Sequence, residues 1–193
     1  MIDFITAADT KLFMFLNGMH SELMDPLMVL ISGKFEWIPL YIFLLALIGI
    51  KIGWKNLIII LPFVFLLVVL TDQSSVMIKN LVARLRPCHD PLIMGQVHTV
   101  NEHCGGQFSF VSSHAANTFG LAIFVGLLLK PIYKHVLLIL AIWALVVSYS
   151  RIYLGVHYPL DIVMGALLGG VTGYYVHRLY AGQSGRIRSI FKI

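Results

Sequence analysis

The stretch that decides the fold is VLLILAIWALVVSYSRIYLGVHYPLDIVMGALLGGVTGYYV, residues 136–176. It contains two apolar segments, 136–150 and 162–176, and each needs only a few flanking residues to reach the ~20 that cross a bilayer as a helix. Between them, the segment 150–161 carries an Arg, a His and an Asp. This order predicts two transmembrane helices joined by a polar turn at one membrane face.

The rest of the chain has the same character. Of its 193 residues, 59% are hydrophobic and 12% are charged, with a mean hydropathy of +0.87; a soluble domain has roughly 25% charged residues. Three further apolar segments occur at 37–50, 56–70 and 119–129. The sequence therefore predicts an all-α, polytopic membrane helix bundle with five transmembrane helices, formed by a single domain over residues 1–193.

The N-terminal segment has a different pattern. Apolar residues in 1–20 alternate with Asp9 and Lys11, which favours an amphipathic helix lying at the membrane interface. There is no basic stretch followed by a small-residue cleavage site, so a removed signal peptide is not predicted. Residues 26–33 are predicted as a short helix, and a sixth transmembrane helix formed from the first 33 residues is the alternative.

The charges of the connecting segments predict the orientation. The segments on one side contain eight basic residues and no Asp or Glu, namely Lys51, Lys55, Lys130, Lys134, Arg178, Arg186, Arg188 and Lys192. Short basic segments stay in the cytoplasm, so this side is predicted to be cytoplasmic. The net charge of +5 then reflects topology and contact with anionic lipids, and nucleic acid is not an expected partner.

Three polar clusters are predicted to meet at the opposite face. In the first, Lys79 and Arg86 are two helical turns apart on the extension of the 56–70 helix, which Pro87 is expected to end. Two cations on one face suit an anion with several oxygens. Snorkelling side chains that contact lipid headgroups are the alternative. Arg84 points away from this face and is assigned to solvent or lipid.

The second cluster is Ser112, Ser113 and His114, directly before an apolar run. Serines at a helix start cap the helix, and the first-turn amides together with the helix dipole attract an anion. His114 beside such an anion is suited to proton transfer near neutral pH. A plain serine cap with a histidine at the interface is the alternative.

The third cluster lies within 150–161. Gly155 allows a turn, Pro159 suits the first turn of the next helix, and His157 and Asp161 are one helical turn apart. A carboxylate at this spacing holds one ring nitrogen and leaves the other free as a base or a nucleophile. A structural His–Asp pair is the alternative, although an Asp in a membrane segment favours a function.

A metal site is a further alternative for the two histidines and Asp161. Three cations are predicted on the same face, where they would repel a divalent ion and attract an anion: Lys79, Arg86 and Arg151. An anion site is therefore the preferred interpretation, and no cofactor is implied.

Taken together, the clusters resemble the three-part signature of the type 2 phosphatidic acid phosphatase superfamily. The matching elements are Lys79-x6-Arg86-Pro87, Ser112-x-His114 and Ser150-Arg151-x5-His157-x3-Asp161. The signature covers residues 79–161, and the order of apolar segments extends the likeness to most of the chain. The middle element departs from the usual Pro-Ser-Gly-His, since Val111-Ser112-Ser113-His114 stands in its place.

This resemblance implies a metal-independent membrane lipid phosphatase. His157 would be the nucleophile that forms a phosphohistidine, Asp161 would orient it, and His114 would protonate the leaving oxygen. The phosphoryl oxygens would be held by Lys79, Arg86, Arg151, Ser112 and Ser113. The substrates that the family offers are undecaprenyl diphosphate, phosphatidylglycerol phosphate, phosphatidic acid and lipid A phosphates, of which undecaprenyl diphosphate is favoured. The expected location is the bacterial inner membrane, with the active site on the periplasmic side.

The two cysteines, Cys88 and Cys104, flank the outer loop 88–110. An oxidising compartment favours a disulfide between them. A zinc site is the alternative, with ligands drawn from the cysteines and from His89, His98 and His103, although no familiar ligand spacing is present.

The sequence is also compatible with two other functions. A lipid phosphotransferase would pass the phosphoryl group to an acceptor other than water. An anion or lipid-phosphate transporter would use the cations for binding alone, but no inverted repeat is evident and a His–Asp pair would then be unnecessary.

Overall fold

The computed structural model describes residues 2–101 and 104–191, with side chains from 3 to 183 outside the gap. Its seven α-helices are α1 (Ile2–Asn17), α2 (Asp25–Ser32), α3 (Ile38–Ile52), α4 (Trp54–Val82), α5 (Ser113–Leu129), α6 (Val136–Tyr153) and α7 (Pro159–Phe191). Short 3₁₀ turns at Pro87–His89 and Met94–Gln96 lie between α4 and α5. Apart from one isolated bridge between Leu85 and Phe108, the described residues contain no β-structure. The all-α prediction is confirmed.

Within the described residues, three helices are long and apolar enough to cross a membrane: α4, α6 and the Pro159–Gln183 part of α7. They contain the predicted segments 56–70, 136–150 and 162–176. The helices α3 and α5 are apolar but shorter, with 15 and 17 residues. The protein is thus a polytopic helix bundle, and the number of five spans stays a prediction.

Helix α5 lies at the centre of the bundle, against α4, α6 and α7. Its contact with α7 is very close, because a Cβ added to Gly169 would overlap the Ala116 carbonyl oxygen. A Cβ on Gly173 would overlap the carbonyl oxygen of Gly120. Small residues four apart allow such backbone contact between membrane helices. The contact sets the start of α5 beside the start of α7, where the Ser112 N–H donates to the Asp161 carbonyl oxygen at 3.0 Å.

The N-terminal helix α1 docks on the bundle. Its apolar residues Phe4 and Phe15 are exposed, whereas Asp9, Phe13 and Asn17 are buried against the protein. The Asn17 amide donates to the carbonyl oxygens of residues 152 and 153, at the end of α6. With 16 and 8 residues, α1 and α2 are two separate helices too short for a ~30 Å hydrocarbon core. The sixth span within the first 33 residues, like the number of five, stays a prediction.

The loop between α4 and α5 is closed by a disulfide between Cys88 and Cys104, whose Cα atoms are 6.0 Å apart. The predicted disulfide is confirmed, and neither thiol is free for the alternative zinc site. A bond that closes a loop of this length contributes about 3 kcal/mol in the loop-entropy model. His103 and Lys192, which entered the sequence predictions, lie outside the described residues, as do the side chains of Arg186 and Arg188.

Candidate active site

A cavity of about 770 Å³ runs between α3, α4, α5 and α6. One end is polar, and its walls include Lys79, Arg86, Ser113, His114, Arg151 and His157. The other end is apolar, with walls that include Leu44, Ile48, Leu61, Val64, Val125 and Trp143. The polar end lies where α4 ends and α5 begins, so the three predicted clusters do meet at one face of the bundle.

His157 lies in the turn between α6 and α7. Gly155 has φ +72°, a conformation that glycine adopts without strain, and this directs the chain back toward α7. The imidazole is 2% exposed, and its Nδ1 lies 3.5 Å from Oδ2 of Asp161, a contact between the two groups that does not have hydrogen-bond geometry. Since Nδ1 is turned toward the carboxylate, the opposite ring edge with Nε2 faces the cavity that His157 lines.

Asp161 is fully buried and is held from two further directions. Its Oδ2 accepts the N–H of Tyr158 at 2.8 Å, and its Oδ1 accepts from Arg84 at 3.0 Å. Pro159 is the first residue of α7, so Asp161 reaches back to the residue before the helix in the manner of a capping box. The helix start therefore fixes the carboxylate that faces His157.

Arg84 joins two buried carboxylates, contrary to its predicted place in solvent or lipid. Besides Asp161, its guanidinium contacts Asp9 of α1 at 2.7 Å. It also stacks on Tyr158, with Cζ 3.8 Å from the ring centroid. The other Asp9 oxygen accepts the Leu160 N–H at 2.8 Å. Sequence reasoning missed the role of Arg84 and of Asp9. The signal for Asp9 was an acid in the middle of a mostly apolar helical segment.

The two-turn spacing predicted Lys79 and Arg86 on one continuous helix, but Arg86 lies outside α4. The helix ends at Val82, where Ala83 takes a left-handed conformation with φ 51°. The chain then pairs with the end of the loop, since the Arg86 N–H donates to Gln107 at 3.1 Å. The guanidinium donates to the Cys104 and Phe108 carbonyl oxygens at 2.8 and 3.2 Å and still lines the cavity.

The two serines have different places. Ser112 is buried, precedes α5 as its N-cap and accepts the Ala115 N–H at 3.4 Å, and it is not part of the cavity wall. Ser113 does line the cavity. Its hydroxyl accepts from Lys79 Nζ at 2.6 Å and lies 2.6 Å from the hydroxyl of Ser75. The side chain added by the departure from Pro-Ser-Gly-His is therefore a contact of Lys79.

Arg151 and His114 complete the polar end. Arg151 lines the cavity and donates to the Ser32 hydroxyl, which ties the end of α2 to the site. His114, in the first turn of α5, lines the same cavity. Lys34, which sequence reasoning missed, adds a fourth cation to this wall. Among residues 2–101 and 104–191, no three His, Cys, Asp or Glu side chains are grouped so as to hold a metal ion.

Comparison with known proteins identifies this arrangement. A family model described as the PAP2 superfamily matches residues 57–184, which include every site residue from Lys79 to Asp161. The chain belongs to the PAP2 superfamily. The predicted family membership is confirmed.

The similarity to individual PAP2 proteins extends over most of the chain. The chain is 37% identical over 191 residues to the lipid A 4'-phosphatase of Bacteroides thetaiotaomicron, and the alignment covers 98% of this chain and 84% of that protein. It is 32% identical over 166 residues to the undecaprenyl-diphosphatase of Sulfolobus acidocaldarius, covering 83% and 73% of the two chains. The crystal structure of Aquifex aeolicus LpxE matches with a TM-score of 0.68 at 25% identity, over 88% of this chain and 94% of that one. This PAP2 protein is thus a membrane lipid phosphatase.

Proposed function

We propose that this PAP2 phosphatase removes a phosphate group from an acylated amino-sugar lipid of the lipid A class. The observation that carries the proposal is the cavity itself, which has cations around His157 at one end and an apolar interior at the other. A phosphate at the polar end would leave the lipid chains in apolar surroundings. The greater identity and coverage of the lipid A 4'-phosphatase support lipid A over the undecaprenyl diphosphate that sequence reasoning favoured.

The proposed reaction has two steps. Lys79, Arg86 and Arg151 hold the phosphoryl oxygens while His157 Nε2 attacks phosphorus and the bond to the sugar oxygen breaks. His114 donates a proton to that oxygen, and a phosphohistidine remains. Water then attacks phosphorus, His114 accepts its proton, and breakage of the P–N bond releases phosphate and neutral His157. Fixed cations around the phosphoryl group supply the charge stabilisation that this chemistry requires.

The proposed location is the bacterial inner membrane, with the site on the periplasmic side. The polar end of the cavity lies opposite the turns that contain Lys51, Lys55, Lys130 and Lys134, and short basic turns stay in the cytoplasm. A disulfide beside the site suits an oxidising compartment.

The experiment measures phosphate release by the purified protein in detergent with EDTA present. The lipids are lipid A, undecaprenyl diphosphate, phosphatidylglycerol phosphate and phosphatidic acid at equal surface concentration. We expect the fastest release from lipid A, and two monophosphorylated forms of lipid A identify which phosphate is removed. Faster release from undecaprenyl diphosphate, or complete loss of activity in EDTA, would contradict the proposal. A phosphorylated second lipid without free phosphate would indicate a phosphotransferase.

The pH dependence follows from the state of His157. Burial lowers the pKa of His157 below its usual value of 6.5, although the Asp161 carboxylate acts in the opposite direction. Because the nucleophile must be neutral, protonation of His157 removes activity as the pH falls through this lowered pKa. The dependence of kcat/KM on pH reports the free enzyme. We therefore expect the midpoint of its acid limb to lie below pH 6.5.

The profile is measured with two substrates whose phosphates differ in pKa. A limb that keeps its position between them belongs to the protein, whereas one that moves reports the substrate. A protein limb with its midpoint above 6.5 would contradict the prediction.

A further inference from the structure

The cavity wall carries two polar side chains that the proposed reaction does not use. Asp72 of α4 lies two helical turns, roughly 10 Å, deeper in the bundle than Lys79. Asn117 of α5 lies one turn below Ser113. Both line the cavity, so they form a second polar level between the cations and the apolar interior.

Both side chains have hydrogen-bonding capacity that the protein leaves unused. Within residues 2–101 and 104–191, the Asp72 carboxylate has no hydrogen bond and no ion pair; only its backbone oxygen accepts, from Ser75 at 2.8 Å. The Asn117 Oδ1 accepts from the Thr71 hydroxyl at 2.5 Å. Its amide nitrogen has no acceptor in the same part of the chain.

No direct contact explains the Asp72 carboxylate. Its charge acts on Lys79 from a distance, without an ion pair in the described structure, and Lys79 donates to Ser113 at 2.6 Å. A carboxylate inside an apolar membrane helix is unfavourable, and such residues typically face a cavity and bind something there. The carboxylate and the amide nitrogen are therefore available to a molecule within the cavity.

The chemistry of the pair indicates its ligand. An ionised carboxylate only accepts hydrogen bonds, whereas the Asn117 amide nitrogen donates them. We infer that Asp72 and Asn117 bind an amide that the substrate carries beneath its phosphate, with the N–H on Asp72 and the C=O on Asn117. This inference rests on the proposed function and specifies its substrate class as an N-acylated lipid phosphate.

Lipid phosphates without an amide lack this pairing of an N–H donor with a C=O acceptor. The ester groups of phosphatidic acid accept hydrogen bonds but donate none, so Asp72 would stay unpaired beside them. The hydrocarbon of a polyprenyl phosphate has neither group. A site built to hydrogen-bond its substrate discriminates strongly against an analogue without the matching group.

The test compares ceramide 1-phosphate, which carries an amide, with phosphatidic acid of matched chain length, which carries esters. The quantity is the ratio of kcat/KM for the two lipids in mixed micelles. We expect the wild-type ratio to favour the amide and to fall about tenfold or more in Asp72→Leu, with a smaller fall in Asn117→Ala. Gln73→Leu is the matched control, because Gln73 is exposed on α4 away from the cavity, and it should retain the wild-type ratio.

The outcomes separate the two proposals. An unchanged ratio in Asp72→Leu and Asp72→Asn, with phosphate release intact, would overturn the inference and leave the proposed function standing. Equal loss on both lipids would also overturn it, since Asp72 would then act through the phosphate site. If the wild-type protein hydrolyses none of the three lipids (ceramide 1-phosphate, phosphatidic acid and lipid A), the proposed function is overturned, and the inference with it.

Discussion

Replacing His157 by Gln is expected to lower kcat for phosphate release by a factor on the order of 10⁴ or more, as loss of a catalytic nucleophile does. KM should change little, because Lys79, Arg86 and Arg151 remain to hold the phosphate. Gln keeps a polar side chain of similar reach but has no basic nitrogen to attack phosphorus. Initial rates of phosphate release from lipid A over a range of surface concentrations give both constants.

The control is His89→Gln, which changes an exposed histidine on the same face and should retain wild-type rates. Thermal unfolding of both variants in detergent checks that the fold is preserved. A His157→Gln protein that unfolds like the wild type and retains activity within tenfold of it would exclude His157 as the nucleophile.

Replacing Arg84 by Gln should destabilise the protein and slow the reaction together. Arg84 contacts Asp161 at 3.0 Å and Asp9 at 2.7 Å, and its side chain is 18% exposed. Its loss leaves two buried carboxylates without their partner, a change that typically costs about 3–5 kcal/mol of the free energy of unfolding. We also expect kcat to fall by a factor on the order of 10², because Asp161 loses one of the contacts that hold it beside His157.

The effect should appear in kcat more than in KM, since Arg84 is not part of the cavity wall. Arg84→Lys should restore kcat and stability only in part, because an ammonium group lacks the several N–H donors with which a guanidinium bridges two carboxylates. In the double variant with Asp9→Asn, the unfolding penalties should be less than additive. Lys11→Gln changes an exposed residue of α1 and is the matched control. If Arg84→Gln keeps the kcat and the unfolding temperature of the wild type, the contacts of Arg84 with Asp9 and Asp161 are dispensable.

Interactions between residues close in sequence were predictable. His157 and Asp161 do face each other, because Gly155 permits the turn and Pro159 begins α7. The cysteine pair was also predictable, because few other arrangements are open to two cysteines that flank one outer loop. In these cases the local spacing determines the geometry.

Interactions between distant segments were not predictable. The helix α4 ends before Arg84 because the chain from 84 to 86 pairs with 107–109, and no helical pattern in the sequence reveals that pairing. As a result, Arg84 turns inward to Asp161, and Arg86 reaches the cavity from extended backbone. The place of Asp9 depends on the docking of α1, and its partner Arg84 is 75 positions away.

The N-terminal segment therefore supports the site from outside the signature. Asp9 holds Arg84 and the start of α7, and Asn17 binds the end of α6. Ser32 contacts Arg151. All three precede Lys79, the first signature residue, so α1 and α2 help to hold residues that surround the proposed phosphate site.

The most direct measurement is capture of the covalent intermediate. The purified protein is mixed with lipid A labelled on phosphorus with a radioactive isotope, in EDTA, and quenched in base within a fraction of the turnover time. A phosphohistidine survives base and is lost in acid, and peptide mapping locates it. We predict label on His157, and none in His157→Gln. Rapid turnover without labelled protein, or label on a different residue, would contradict a reaction through a His157 phosphohistidine.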